Sequence, residues 1–163
     1  METDKIYVKG YFKSLQIVHL ALVLGIVFFA LITIFLQLNG FGDLGEDLNN
    51  IFFYTVIAFT IGGLFASNMV FKKKLGAINP KNSLLEKGEK YREALIIKFA
   101  LIEGPAFFSI VVYMLTGNSI LLIIIAFLVV VFIINRPTKD KFVIDLGLNS
   151  EERKFLGDDE NVF

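Results

Sequence analysis

The sequence predicts an all-α, polytopic membrane protein whose four transmembrane helices form two tandem hairpins. Its 163 residues are 55% hydrophobic and only 20% charged, with a mean hydropathy of +0.67. A soluble domain of ordinary composition carries about 25% charged residues. Two further observations support the fold class: the chain has four separate apolar stretches, and its basic residues are confined to one side of them.

The composition also limits the chemistry of the protein. Sixteen basic residues balance sixteen acidic ones, so no net charge favours nucleic acid as a partner. The absence of cysteine excludes disulfides, thiol catalysis and thiolate metal sites, and a single histidine argues against an all-protein zinc site. We therefore expect no metal, no cofactor and no nucleic-acid partner.

Four apolar stretches approach the roughly 20 residues that a transmembrane helix needs. The first lacks a cleavage site, so we expect a retained helix rather than a cleaved signal. The fourth is short, about 22 Å of helix, and either crosses a thin region or is extended by Ser119 and Asn135 with Arg136 snorkelling. The predicted spans are 15–38, 51–71, 94–116 and 120–134. The chain thus divides into an N-terminal segment (1–14), a first hairpin (15–71), a basic loop or helix (72–93), a second hairpin (94–135) and a tail (136–163).

Basic residues predict the orientation of these spans. Fifteen of the sixteen lie before the first span, between the second and third, or after the fourth. The loops 39–50 and 117–118 contain none, and the longer of them is acidic. The positive-inside rule then predicts that both termini are cytoplasmic and that the protein lies in the cytoplasmic (inner) membrane. The basic loop is expected to attract anionic lipid.

The polar segments contain signals for helix starts. Ser83 with Glu86 matches a capping box and predicts a helix that runs into the third span. Asn149 with Glu152 predicts a second, short helix in the tail, through Phe155. The apolar tail residues before it could rest on the membrane surface or on a partner, and we favour the membrane surface. These residues are Phe142, Val143, Ile144, Leu146 and Leu148.

The first and third spans resemble each other. Residues 14–39 and 93–118 align without gaps at an offset of 79, with eight identities in 26 positions. Two random apolar helices of this composition share about three. We interpret the pattern as a parallel internal repeat of two hairpins, the alternative being convergence of two lipid-facing helices.

Small residues four positions apart predict where the helices pack. Such faces allow close backbone approach between helices in lipid. We therefore expect the first three spans to form the core, with the fourth, rich in Ile and Val, at the lipid-facing edge. The predicted packing positions are Ala21 with Gly25, Ala100 with Gly104, Gly62 with Ala66, and Gly63 with Ser67.

Glu103 is the only carboxylate within a predicted span. It lies about 14 Å along the helix from Ala94, near the bilayer centre. An ionised carboxylate is costly there, so we expect a neutral acid, a paired group, or one that faces a wet cavity. Two roles are open: a hydrogen bond to the second span near Thr60 or Gly62 that holds the bundle together, or proton or ion handling.

Gly104 and Pro105 directly follow this carboxylate. Pro105 has no N–H to donate to the carbonyl of Leu101, and we expect it to kink the helix. A kink would leave a carbonyl free beside the acidic group, as in many intramembrane ion sites.

His19 and Lys98 occupy equivalent repeat positions about one turn inside the cytoplasmic face. Lys98 can snorkel to that face. His19 titrates near neutrality and is a candidate proton relay towards Glu103. A hydrogen bond from His19 to Asn68 or Ser67, at similar depth, is the alternative that we favour.

Duplicated hairpins with small-residue faces and one mid-membrane Glu resemble the proteolipid, rotor-ring subunits of rotary ATPases. Ala100, Glu103, Gly104 and Pro105 carry this resemblance. It implies a ring-forming protein in which Glu103 binds the transported proton or sodium ion. The overall pattern also resembles small four-span bacterial membrane proteins, which implies no mechanism.

No nucleophile–base set and no Gly-rich phosphate loop is present in the sequence, so we expect no enzyme activity. The first hypothesis is a non-enzymatic accessory or structural component of a membrane complex, with a homo-oligomer or other membrane proteins as partners. The alternative is a small proton- or ion-handling component centred on Glu103.

Overall fold

The computed structural model describes residues 2–42, 46–150 and 152–153, the side chains of 2–9, 11 and 46–48 excepted. The described chain is helical without strands, and three of its helices are long and apolar enough to cross a membrane. This set is compatible with a multi-pass membrane protein. The short helix expected through Phe155 and Leu156 lies outside the described residues. The helices are α1 (Glu2–Leu38), α2 (Glu46–Gly76), α3 (Leu84–Thr116), α4 (Ile120–Ile134) and α5 (Lys139–Asp145).

The fourth predicted span has the expected bounds but no extension. After α4 the chain turns, and α5 follows at an angle of 78°. Pro137 lies in this turn, where its ring and missing N–H are incompatible with a continuing helix. By length and composition, α4 and α5 qualify as a fourth span, a broken one, when the two are counted together.

Helix α3 lies at the centre of the bundle, in contact with α1, α2 and α4. Within its most apolar segment 44% of the residues are buried, against 22% in α1 and 22% in α2. Ser83 caps its start by accepting the N–H of Glu86, as the capping box predicts. The core is therefore built around one helix rather than around the first three spans equally, and α4 contributes buried residues to it. These are Leu121, Ile125, Leu128 and Phe132.

Helices α1 and α3 lie side by side and run in the same direction. Aromatic rings join positions that are 78 to 80 residues apart, close to the offset of the sequence repeat. Helices α1 and α2 are consecutive in the chain, yet they scarcely touch, and both pack on α3. The first predicted hairpin is thus held together through α3. The ring pairs are Phe12 with Tyr91 (6.4 Å), His19 with Phe99 (5.1 Å) and Phe29 with Phe107 (5.7 Å).

The bundle has two different ends. At the basic end α1 and α3 begin and α2 and α4 finish, and the side chains of Lys72, Lys73, Lys74, Arg136 and Lys141 belong to it. At the opposite end the chain passes from α1 to α2 and from α3 to α4. There Gly117 adopts a left-handed conformation (φ 66°), and its N–H donates to the carbonyl of Tyr113. The side-chain amide of Asn118 donates to Asn49 at 3.0 Å, which ties the connection between α3 and α4 to the first turns of α2.

The start of the tail packs partly on the protein itself, an arrangement that the sequence did not lead us to expect. Phe142 is fully buried against the rings of Phe12 (4.7 Å) and Tyr91 (5.0 Å), and Leu148 is buried as well. Among the apolar tail residues, Ile144 is the one that is most exposed, at 73%. An aromatic cluster at the basic end was not recognisable from the sequence, because its rings come from three distant segments.

The second capping box forms as predicted and anchors the tail to α3. The N–H of Glu152 donates to the Asn149 side chain at 2.8 Å, and the N–H of Asn149 donates to the Glu152 carboxylate at 3.0 Å. Lys87, which is buried, donates to the same carboxylate at 2.5 Å. Burial opposes ionisation of Glu152, but these hydrogen bonds and the charge of Lys87 outweigh it, so the pKa of Glu152 lies below its ordinary value.

Candidate functional site

Glu103 lies on a strip of α3 that also contains Ala100 and Gly104. Ala100 is exposed, and Glu103 and Gly104 are half-buried. One turn further along α3, Phe107 contacts Phe29 of α1 at 5.7 Å. The next residue, Phe108, contacts Phe59 of α2 at 5.4 Å. The α3 strip (Ala100, Glu103 and Gly104) therefore lies between α1 and α2.

Glu103 has no hydrogen bond and no ion pair with any residue that the structure describes. The expected hydrogen bond to Thr60 is wrong, because the hydroxyl of Thr60 is buried without a partner among the described residues. Glu103 therefore does not join α3 to α2. The half-buried carboxyl is turned partly out of the bundle at mid-helix, where an isolated polar group is costly in lipid.

Among the helical glycines of the described chain, Gly63 of α2 makes the closest approach to another helix, at Pro105 of α3. A Cβ at position 63 would lie 2.5 Å from Cγ of Pro105 and 2.9 Å from the carbonyl oxygen of Leu101. That carbonyl is the one to which Pro105 cannot donate within the helix. The proline thus leaves a carbonyl that faces the backbone of α2, and only glycine leaves room for it.

The other small residues do not pack as predicted. An added Cβ at Gly25 or Gly62 would meet nothing within 4 Å, and one at Gly104 would meet only Phe59, at 3.9 Å. Ala21 and Ala100 are exposed. Of the predicted small-residue faces, only the one with Gly63 and buried Ser67 forms a tight helix contact. The remaining faces are open on the surface of the single chain.

His19 is buried and bonded to α4, not to α2 as we favoured from the sequence. Its Nε2 lies 2.8 Å from the carbonyl oxygen of Phe132, so Nε2 carries the proton and donates it. The expected partners are engaged elsewhere or turned away: Ser67 donates to Leu64, and Asn68 is exposed. His19 also packs against the rings of Phe99 and Phe132. Phe99 lies one helical turn before Glu103, but no hydrogen bond joins His19 to that carboxyl within the described residues.

The bond from His19 closes the end of α4. The last four carbonyls of a helix have no intrahelical partner of the usual kind. That of Phe132 accepts the N–H of Asn135 at 3.0 Å as well as the bond from His19. Lys141 of α5 donates to the carbonyls of Ile134 at 2.5 Å and Arg136 at 3.2 Å. A cation at this position also offsets the partial negative charge of the helix end. The end of α4 is thus completed by His19 of α1, 113 residues before Phe132, and by Lys141 of the neighbouring helix α5.

Gln37 caps the end of α3 in the same way, a role that we did not predict from the sequence. Its Nε2 donates to the carbonyls of Met114 at 2.6 Å and Tyr113 at 3.2 Å. The available signal was a polar amide near the end of an otherwise apolar span. Lys98, which we expected to snorkel, lies with its Nζ 4.7 Å from the ring centroid of Phe71, in a cation–π contact.

In comparisons with known proteins, no family model, no curated protein and no solved structure matches this chain. Within the described residues, no group of three or more His, Asp or Glu side chains is placed to hold a metal ion. The features that bear on function are therefore the open α3 strip, its carboxyl group and the charged groups at the basic end.

Proposed function

We propose that the protein is a non-enzymatic accessory or structural component of a membrane complex, in which the α3 strip receives a helix of a partner or of a second copy. The observation that carries this proposal is Glu103, half-buried at mid-helix and without a hydrogen bond or ion pair among the described residues. A neighbouring helix with a polar side chain would satisfy the carboxyl in lipid.

The shape of the strip supports the same proposal. Ala100 and Gly104 lie on either side of Glu103 along the helix and are not covered tightly by α1 or α2. Small residues permit the close backbone approach that stabilises helix pairs in lipid, where burial of apolar surface adds nothing. The strip thus combines a smooth surface with one polar group that needs a partner.

The orientation and the origin of the fold are part of this proposal. We place the basic end in the cytoplasm of a cell with an inner membrane, because fifteen of sixteen basic residues belong to that side. We also propose that the two hairpins arose by duplication. The register of α1 beside α3, at 78 to 80 residues, agrees with the repeat offset.

A photo-crosslinking residue tests the strip directly. It is introduced at Ala100 in the full-length protein, which is then irradiated in membranes of its own host. The matched control carries the same residue at Ile123 of α4, which is 70% exposed on another side of the bundle. We expect a defined adduct from position 100 and none from position 123. Equal labelling at both positions, or no adduct at 100, would overturn the proposal.

Variants of Glu103 then separate a hydrogen bond from a charge. Glu103→Gln retains hydrogen-bonding groups of nearly the same shape, so the adduct should persist. Glu103→Leu removes them and should reduce the adduct about tenfold, which corresponds to the loss of about 1.4 kcal/mol.

Proton or ion handling is the second candidate, favoured by the mid-helix position of the same ionisable group. It differs in its response to Glu103→Gln, since an amide cannot bind and release a proton. Loss of proton or sodium flux in vesicles of Glu103→Gln, with the crosslinked complex intact, would favour this candidate. A native mass spectrum with many identical copies would favour a ring, as the resemblance to rotor subunits implies.

A further inference from the structure

A polar cavity of about 180 Å³ opens at the basic end, between α3, α4 and α5. This volume corresponds to roughly six water molecules at about 30 Å³ each. None of the residues of the α3 strip lines this cavity. Of the predicted basic loop (72–93), only Tyr91 does. Its polar lining consists of Tyr91, Lys98, Asn135, Arg136, Lys141 and Asp145.

The cavity contains three cationic side chains and one carboxylate. Asp145 interacts electrostatically with Lys98 and Lys141, and it also accepts a hydrogen bond from the hydroxyl of Tyr91 at 3.0 Å. No other Asp or Glu lines the cavity. The cations therefore exceed the negative charge available to them within the described residues.

Several donors of these cations are not used inside the protein. Lys141 has three N–H groups and donates to two carbonyls. Lys98 contacts the ring of Phe71 and has no hydrogen bond among the described residues. The guanidinium of Arg136 likewise has no hydrogen bond or ion pair there, although it lies on the cavity wall.

The elements hold these donors at a defined depth. Lys98 lies about 6 Å along α3 from Ala94, the start of the predicted span. Arg136 lies two residues beyond the end of α4. The carbonyls at that end carry partial negative charge, but Lys141 donates to that of Ile134 and to the carbonyl of Arg136 just beyond α4. Lys98 and Arg136 thus lie near the basic ends of α3 and α4, where we place the interface between membrane and water.

We infer that this cavity binds a phosphate group, held by Lys98, Arg136 and Lys141. Arginine and lysine together are the usual partners of phosphate, since charge-assisted hydrogen bonds are stronger than neutral ones. The phosphate belongs either to an anionic lipid of the adjacent leaflet or to a small anion in solution. Both share the chemistry of the site, and the experiment below distinguishes them.

Native mass spectrometry of the full-length protein in maltoside micelles, which contain no phosphate, provides the test. One arm adds phosphatidylglycerol to the micelles, and the other adds inorganic phosphate to the buffer. A retained lipid adduct identifies a headgroup site, whereas retention of phosphate, or competition by it, identifies a small-anion site. If neither phosphatidylglycerol nor inorganic phosphate is retained above the level in a sample that contains neither of them, the inference is overturned.

Charge variants make the result specific to the cavity. Arg136→Gln and Lys98→Met should each weaken binding about tenfold. Asp145→Asn, which can still accept the hydrogen bond from Tyr91, should strengthen binding by a similar factor. The matched control is Lys73→Gln, an exposed cation at the same end but outside the cavity.

The gain expected from Asp145→Asn protects the test against misfolding, because an unfolded variant does not bind more tightly. Equal binding by all four variants and the unchanged protein would show attraction to the basic end as a whole, and would overturn a site in the cavity. The outcome is separate from the crosslinking result at Ala100, which concerns a different surface.

Discussion

The last turns of α3 and α4, at opposite ends of the bundle, are capped by side chains of different chemistry. At each end a side chain of α1 donates to a carbonyl in the last turn of another helix, where the regular helical hydrogen bonds stop. At the opposite end this is the neutral amide of Gln37, which bonds Met114 at 2.6 Å. At the basic end it is the buried imidazole of His19, which bonds Phe132 at 2.8 Å and is assisted by Lys141.

The difference shows what each end is suited to do. The opposite end has neutral amide contacts, such as Asn118 with Asn49, and its described caps leave no excess charge. The basic end closes a helix with a cation and leaves further cations around a cavity. Helix ends can thus be completed without charge, so the charge at the basic end indicates a role beyond closing α4.

Loss of the imidazole should have the largest effect on stability. His19→Leu removes the donor to Phe132 and the ring contacts, and should lower the free energy of unfolding by about 2 kcal/mol. Gln37→Leu should lower it by about 1 kcal/mol, because the amide is less buried and Gly117 still donates to Tyr113. Unfolding in mixed micelles with increasing dodecyl sulfate measures both.

His19→Gln is the control for this pair, since it retains a donor without the ring. It should fall between the unchanged protein and His19→Leu. If Gln37→Leu were as costly as His19→Leu, the two caps would be energetically equivalent and the contrast between the ends would be lost.

Replacing a glycine in the left-handed conformation should also lower the free energy of unfolding, and the chain offers such a glycine at each end. Gly147 at the basic end (φ 57°) has open space around it, so Gly147→Ala should cost only the backbone strain, about 1 kcal/mol. A Cβ at Gly117 would lie 2.9 Å from the side-chain oxygen of Gln37. Gly117→Ala should therefore cost about 1.5 kcal/mol, since Gln37 must shift as well. The same unfolding assay compares the two variants. A larger loss of unfolding free energy for Gly147→Ala than for Gly117→Ala would contradict the close packing of Gly117 against Gln37.

Acid should weaken the attachment of the tail at the basic end and leave the opposite end unchanged. This is the smallest of the expected effects on stability. The pKa of Glu152 is below its ordinary value, so its contact with Lys87 stabilises the protein above the ordinary pKa and is lost as the pH falls through the lowered one. We expect a change of about 0.5 kcal/mol. Hydrogen exchange of α5 amides at about pH 6 and about pH 3 measures it, after correction for intrinsic rates.

The amide pair of Asn49 and Asn118 has no titratable group and provides the internal reference for this measurement. Glu152→Gln should remove the pH dependence at α5. An equal acid response at both ends would point to general unfolding instead of release of the tail.

Much of the local structure was predictable from the sequence. The start of α3 at Ser83, the bounds of α4 and the capping box at Asn149 follow from short-range rules that need no knowledge of the fold. The partner of His19 was not predictable, since a buried donor takes whichever acceptor the packing presents. The small-residue faces failed for a similar reason, because a pattern shows where helices can approach and not which of them do.

The sequence by itself determined the helical and apolar character of the chain, the start of α3, the bounds of α4 and the separation of charge between the two sides, because apolar length, caps and charge are properties of single segments. Only the tertiary structure decided that α3 is the central helix, that Gly63 alone meets Pro105, and that Glu103 has no partner within the described chain. It also gathered Lys98, Arg136 and Lys141 around one cavity. Such facts depend on contacts between residues far apart in the chain, which the packing of the whole bundle selects.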